Sequence, residues 1–385
     1  MSDVTSVRPL PKIQRLVVKI GSAVVAPGGS LDQASVDRLA DDVAAVRRMG
    51  VQVTLVSSGA IASGFRLLGL TAPPTSIELK QAAAAVGQQR LMAAWAAAFG
   101  RHGLTVGQLL LTSDDMLSRR RYLNARHTLA QLHQHGVAPV INENDSVSYD
   151  EIHFGDNDAL SAYVSGLVDA DLLLILSRAK GLYAEGDENR VIPLVRLGGD
   201  AEIAGLSRHV TDTKTLTGVG GMASKLTAIG VAWKLGVPAL IAGGDEPGVM
   251  GRVLSGENLG TLFLPVDAQA PSRRKAWIMS TVRSAGTVRV DAGAARAVVS
   301  RRASLLPSGV TAVSGTFERG EPVDVCGPDG VVIARGLTAY ASEQIARIKG
   351  LASDKIATTL GQHLGDEVIH RDDLAVLTSG GGGTA

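Results

Sequence analysis

The sequence predicts an α/β protein: a parallel sheet covered by helices on both faces, followed by a smaller, β-rich domain. Three observations carry that prediction. Short apolar runs alternate with stretches of helical spacing from residue 15 to about 242, which implies parallel strands with both faces covered. Near residue 270 the alternation gives way to short β-type segments separated by turns. The length, 385 residues, exceeds what one hydrophobic core organises, so two domains are expected.

Each element has its own signal. RLVVKI (15–20) is a short apolar run ending at Gly21, as a buried strand does. Residues 32–49 carry apolar positions at helical spacing and stop at Gly50. VQVTLV (51–56) is a second strand, closed by Ser57-Ser58-Gly59. Helices are expected at about 60–69, 77–100, 119–134, 157–168 and 221–235, with strands at 105–111, 137–141, 171–176 and 237–242. The basic, Pro-containing PSRRK (271–275) reads as a linker. Beyond it lie β segments at 286–290, 310–314, 322–326 and 331–335, with short helices near 292–301 and 342–348. The expected organisation is therefore a catalytic domain at 12–268, a linker at 269–276, a small β-rich domain at 277–370 and a tail at 371–385 whose glycine-rich end has linker-like composition.

Composition excludes several classes. Apolar residues make up 45% and charged residues 19%, which argues against disorder. A net charge of +1 demands neither a nucleic acid nor an anionic membrane as partner. Cys326 is the only cysteine, which excludes an internal disulfide and a Cys-rich zinc site; its apolar neighbours give it a buried structural role. The eight histidines show no HExxH or other metal-ligand spacing, so no metal site of the protein's own is expected. The N-terminus lacks an apolar signal core, and the longest apolar stretch, Leu172–Leu176, is too short to span a bilayer. A cytoplasmic protein is expected.

Ligands of parallel sheets bind beyond the carboxyl ends of the strands. Five segments there carry chemistry. In Val17-Val18-Lys19-Ile20-Gly21-Ser22, a lysine sits inside an apolar strand; either it meets a partner such as a phosphate, or it lies at a sheet edge and snorkels to water. Val56-Ser57-Ser58-Gly59-Ala60 gathers hydroxyls and N–H groups at a helix start, which suits an anion or plain N-capping. Asn142-Glu143-Asn144-Asp145 follows a strand, and Gly155-Asp156-Asn157-Asp158 opens a helix; together they fit either a solvated loop or a site for an amino group, which needs several acceptors. Gly218-Val219-Gly220-Gly221-Met222-Ala223-Ser224-Lys225 is the strongest signal, because a glycine-rich turn, a helix start and a lysine all favour bound phosphate. It is no P-loop, since Ser224 stands where that motif needs glycine, and no Rossmann turn, since Thr211–Thr217 is polar rather than a strand. That context also argues against a nicotinamide-dependent dehydrogenase. His370-Arg371-Asp372 imitates a protein-kinase loop but has no Asp-Phe-Gly after it.

Taken together, VVKIGS (17–22), VSSGAIASG (56–64), LKQAAAAVGQQRLM (79–92), GQLLLT (107–112), RYLNARHTL (121–129), PVINENDSV (139–147), FGDNDALSA (154–162), KGLY (180–183), GVGGMASKL (218–226) and GTLF (260–263) resemble the amino-acid kinase family. SLLPSGV (304–310), FERGEPV (317–323) and HRDD (370–373) resemble a PUA domain. The resemblance implies a three-layer αβα sandwich with a mostly parallel sheet and a PUA-like C-terminal domain. INEND with GDND and GGMxxK points to the branch that phosphorylates the side-chain carboxylate of L-glutamate with ATP, the first step of proline synthesis, rather than to branches acting on other acids.

Several roles follow from the resemblance. Lys19 and Lys225 would neutralise the transferring phosphoryl group, with Asp158 as their shared counter-charge. Ser58, Gly59, Asp145 and Asn157 would hold glutamate. Lys19, Gly21, Ser177, Arg178, Val219, Gly220, Gly221, Met222, Ala223, Ser224 and Lys225 would line the ATP site, and Mg²⁺ would arrive on the phosphates. The pair Ser177-Arg178 departs from the family's usual Thr/Ser-Asp; an arginine there suits stacking on adenine or reaching a phosphate. The resemblance further implies a homo-oligomer (dimer or tetramer), inhibition by proline, and the next enzyme of proline synthesis as a partner. RNA binding through the PUA-like domain is disfavoured by the near-neutral charge and by only 3% aromatic residues.

Overall fold

Arg15–Ile20 forms β1, and all five residues after Arg15 are buried because the strand lies in the middle of a sheet. The computed structural model describes residues 8, 10–147, 157–185, 187–206, 221–266, 284–362 and 364–377. The chain falls into two units, one of Met1–Asp115 with Leu123–Ala268 and one of Met116–Tyr122 with Gln269–Ala385.

After β1 come α1 (Ser22–Val25), α2 (Gln33–Arg48), β2 (Gln52–Ser57), α3 (Ala60–Gly64), α4 (Ile77–Gly100), β3 (Val106–Leu111), α5 (Ser113–Leu117), α6 (Arg119–Gln134) and β4 (Ala138–Glu143). There follow α7 (Asn157–Leu167), β5 (Leu172–Ser177), the short pair β6 (Tyr183–Ala184) and β7 (Asp187–Val191), β8 (Leu194–Leu197), α8 (Asp200–Gly205), α9 (Met222–Lys234), β9 (Ala239–Gly243), α10 (Val249–Leu254) and β10 (Thr261–Pro265). Eight strands make one sheet in the order β3-β4-β2-β1-β5-β9-β10-β8. Every pairing is parallel except β9 with β10. The expected mostly parallel sheet is present. β6 to β8, α8, α10 and β10 were not anticipated, since their apolar runs are too short to stand out.

Strand alternation assigns the two faces. Leu16, Val18 and Ile20 join a core with Val36, Leu39, Val43 and Val46 of α2 and Leu91, Trp95 and Phe99 of α4. Trp95 and Phe99 stack at 5.7 Å between centroids. Lys19 points to the other face, which α7 and α9 cover. α2 opens on Asp32, whose carboxylate accepts from Ser35 N–H, a cap that satisfies one orphan donor of the first turn.

The contact between α3 and α4 fixes the start of α3. A Cβ on Gly64 would land 1.9 Å from the Ala83 carbonyl oxygen, and one on Gly87 would land 1.8 Å from that of Ala60. The two helices therefore touch backbone to backbone, which only glycine allows.

The second unit carries β11 (Gly286–Val290), α11 (Ala292–Arg301), β12 (Val310–Ser314), β13 (Pro322–Cys326), β14 (Val332–Leu337), α12 (Ser342–Ile348), α13 (Ile356–Leu360) and β15 (Leu374–Val376). Its sheet runs β12-β11-β13-β14-β15 around a core of Val288, Val290, Val323, Val325, Phe317 and Ile345. β15 comes from residues assigned above to the tail; it pairs antiparallel with β14 and completes the sheet. Cys326 is buried, and burial, with Asp324 beside it, pushes its thiol pKa up, so it stays neutral. The linker 269–276 and residues 378–385 lie outside the described residues.

Candidate active site

The carboxyl ends of β1, β2, β4 and β5 bring two clusters together. The first centres on Asp158. β1 pairs with β2 on one side and β5 on the other, with Lys19 opposite Val56 and Ile175. A sheet-edge lysine is thereby excluded: Lys19 is 1% exposed, and its Nζ lies 2.6 Å from Asp158 Oδ1. Asp158 is the second residue of α7 and is fully buried. Its Oδ2 accepts from Lys225 Nζ at 3.3 Å and from the Ser224 hydroxyl at 2.8 Å. Both donors stand on the first turn of α9. Residues more than 200 apart in sequence thus converge on one carboxylate because β1, α7 and α9 meet there. Burial alone would raise the Asp158 pKa; the ammonium groups of Lys19 and Lys225, with hydrogen bonds, outweigh it and hold the group below the usual carboxylate range.

The second cluster is neutral. Asn157 Nδ2 donates to Ser58 Oγ and to Asn142 Oδ1, each at 2.8 Å. The backbone N–H of Glu143 donates to Asn142 Oδ1 at 2.9 Å and to Asn157 Oδ1 at 3.2 Å. Asn142 Nδ2 donates to Gln88 Oε1 at 2.7 Å. Here the structure corrects one expectation: Asn142 and Glu143 do not follow a strand but end β4, paired with Leu110 and Leu111 of β3. The Asn142 amide is tolerated in a buried strand because the network supplies its partners. Asp145 follows in a turn and is partly exposed.

The glycines divide. Gly21 N–H donates to the Leu176 carbonyl at 3.1 Å, so it closes the β1–β5 ladder and is not available to a phosphate, against the expectation above. Gly59 caps α3 at φ 114°, and a Cβ there would meet Val25 Cγ2 at 2.8 Å. Gly221 caps α9 with open space around its α-carbon, and Met222, Ala223, Ser224 and Lys225 make the first turn after it. Val219 and Gly220 lie outside the described residues. Ser177 ends β5, where its hydroxyl donates to the Ala179 carbonyl and its own carbonyl accepts from Gly244 N–H. Arg178 donates to the Pro27 carbonyl at 2.7 Å, which anchors it to the turn after α1.

Gln88 was not singled out from sequence as a site residue, and Asn142 was marked only as part of the polar segment 142–145 with no role of its own. One signal existed for Gln88: it sits at helical spacing among Ala84, Leu91 and Trp95, all buried, so an amide there must have a buried partner. Among the described residues no group of three His, Cys, Asp or Glu side chains is placed to hold a metal ion. No helix among them is long and apolar enough to cross a membrane.

Comparison with known proteins shows what the chain is similar to. The amino acid kinase family profile matches residues 14–243, and a PUA domain profile matches residues 286–360. A glutamate 5-kinase of Trichlorobacter lovleyi is 48% identical over 374 residues, covering 96% of this chain and 98% of its own. Glutamate 5-kinases of Pelobacter propionicus and Geobacter metallireducens are 47% and 48% identical, covering 95% and 96% of this chain.

Proposed function

The chain belongs to the amino acid kinase family, and from that premise we propose that it transfers the γ-phosphoryl group of ATP to the side-chain carboxylate of L-glutamate, giving L-glutamyl 5-phosphate and ADP. The observation that carries the reading is the convergence of Lys19 and Lys225 on Asp158 at the carboxyl end of the sheet. The acceptor is a carboxylate with an ordinary pKa of about 4.3, already ionised at neutral pH, so no general base is required. The reaction instead needs positioning and charge neutralisation on the phosphoryl group in flight. Two ammonium groups oriented by a buried carboxylate supply that. Asp158 spends one oxygen on Lys19 and the other on Lys225 and Ser224, so it serves the lysines rather than a metal. Mg²⁺ fits as an ion carried in by ATP and held by phosphate oxygens.

Gly221 and the first turn of α9, with Gly220 and Val219 before it, are the proposed phosphate cradle, and Ser177 and Arg178 border the nucleotide. Ser58, Gly59, Asn157 and Asp145 are the proposed glutamate site, Asp145 facing the α-ammonium. The reaction is the first step of proline synthesis. Proline shares the amino-acid end of glutamate and would compete there. A homo-oligomer, and the next enzyme of proline synthesis as a partner, belong to the same proposal.

The test is incubation with ATP, Mg²⁺, hydroxylamine and one acid at a time. Glutamate is expected to give the γ-hydroxamate. Product with aspartate or acetylglutamate but not with glutamate would overturn the assignment.

A further inference from the structure

The neutral cluster has a direction, and one atom sets it. A backbone N–H can only donate, so the Glu143 N–H that reaches Asn142 identifies the atom facing it as the amide oxygen. The other end of that side chain, Nδ2, must then be the donor toward Gln88, and the Gln88 atom 2.7 Å away must be Oε1. The same constraint runs the other way. Asn157 donates one Nδ2 hydrogen to Asn142 and the other to Ser58. Both of its donors are spent, and its Oδ1 accepts from Glu143 N–H. Ser58 Oγ accepts from Asn157, while its own O–H has no acceptor among the described residues.

Gln88 holds this orientation at a cost. Its Nε2 is enclosed and has no hydrogen-bond partner among the described residues. Turning the amide over would relieve nothing, because it would set Nε2 against the Asn142 Nδ2 donor. An enclosed donor without a partner is a standing penalty.

Given the reading that the acid substrate binds at Ser58 and Asn157, we infer that Gln88 is a positioning residue for this site. By accepting from Asn142 Nδ2 it holds in place the network whose direction the Glu143 N–H sets, and so keeps Ser58 a hydrogen-bond donor to a carboxylate oxygen of the substrate and Asn157 an acceptor for the ammonium. Gln88 sits one residue beyond the Gly64–Gly87 contact of α3 with α4, so the crossing that places Ser58 also places the residue that aims it.

The experiment is a double-mutant cycle of Gln88→Met and Ser58→Ala, read as the KM values for glutamate and ATP, with melting temperatures alongside. Methionine keeps length and shape and removes the acceptor. Gln88→Met is expected to raise the glutamate KM about tenfold and to leave the ATP KM within about twofold, since a charged acceptor makes the lost bond a strong one. In the Ser58→Ala background, Gln88→Met is expected to add less than about twofold, because both act through one hydrogen bond. An unchanged glutamate KM in Gln88→Met, an equal rise in both KM values, or full multiplication in the double variant would each overturn the inference. If Gln88→Met does not fold, Gln88→Glu is the second variant, because burial favours its neutral acid, which still offers an acceptor to Asn142. Its glutamate KM should stay near that of the wild type at pH 6.5 and climb as the acid ionises; a rise of tenfold or more at every pH would overturn the inference. A wild type that turns over a different acid overturns the glutamate assignment alone, and the same cycle then reads with that acid. A wild type that turns over no acid overturns both.

Discussion

The two clusters meet at neighbouring residues of α7 yet are built on opposite principles. Around Asp158 charge dominates: two lysines and one carboxylate, all buried, joined by the half-buried hydroxyl of Ser224. Around Asn157 the hydrogen bonds join neutral groups: amides, a hydroxyl and a backbone N–H. Charge suits the end where a phosphoryl group moves, because its force acts on developing charge without needing a fixed contact distance. Neutral amides suit the end where a substrate must be oriented, because hydrogen bonds are directional. Placing Asn157 and Asp158 on one helix start holds the two ends in a fixed relation.

The contrast makes distinct predictions. The largest effect belongs to the charged cluster. Asp158→Asn would leave two buried ammonium groups without their shared counter-charge, a change expected to cost about 3–5 kcal/mol in urea denaturation. Activity should fall with it. A loss below about 1 kcal/mol would mean that the cluster is more hydrated than its burial indicates.

A smaller effect tests burial without a counter-charge. His133 of α6 bonds the Thr54 hydroxyl at 2.8 Å, and burial, with Arg47 and Arg15 nearby, pushes its pKa down to about 4. The folded state therefore disfavours the protonated ring. Stability should rise with pH between about 4 and 6.5 and level off above, because only the unfolded chain binds the proton in that window. Allowing for partial exposure, the gain is on the order of 2 kcal/mol. His133→Gln should flatten that window in pH-dependent denaturation; an unchanged slope would place the titration elsewhere.

Much of this was legible in the chain. The alternation of apolar runs and helical stretches marked the parallel sheet, and Lys19, Ser58, Asn157, Asp158 and Lys225 each stood at a strand end or helix start. Local pattern left Lys19 ambiguous, because whether β1 is interior depends on its pairing with β2 and β5, which are distant in sequence. Asn142 and Glu143 read as loop because polarity normally marks exposure; only the partners brought in by α4 and α7 make them strand. Gly21 looked available to a ligand until its N–H was found on Leu176. Gln88 was out of reach for the same reason: its partner Asn142 lies 54 residues away.

The most direct test of the central claim is the turnover of Lys225→Met. Methionine keeps most of the unbranched apolar stem and removes the ammonium, with its charge and its donors. If Lys225 neutralises the phosphoryl group in flight, kcat for hydroxamate formation should fall about 10²–10³-fold, as when one transition-state donor is removed, while the glutamate KM changes little. A kcat within about threefold of the wild type, in a variant that folds normally, would contradict the account.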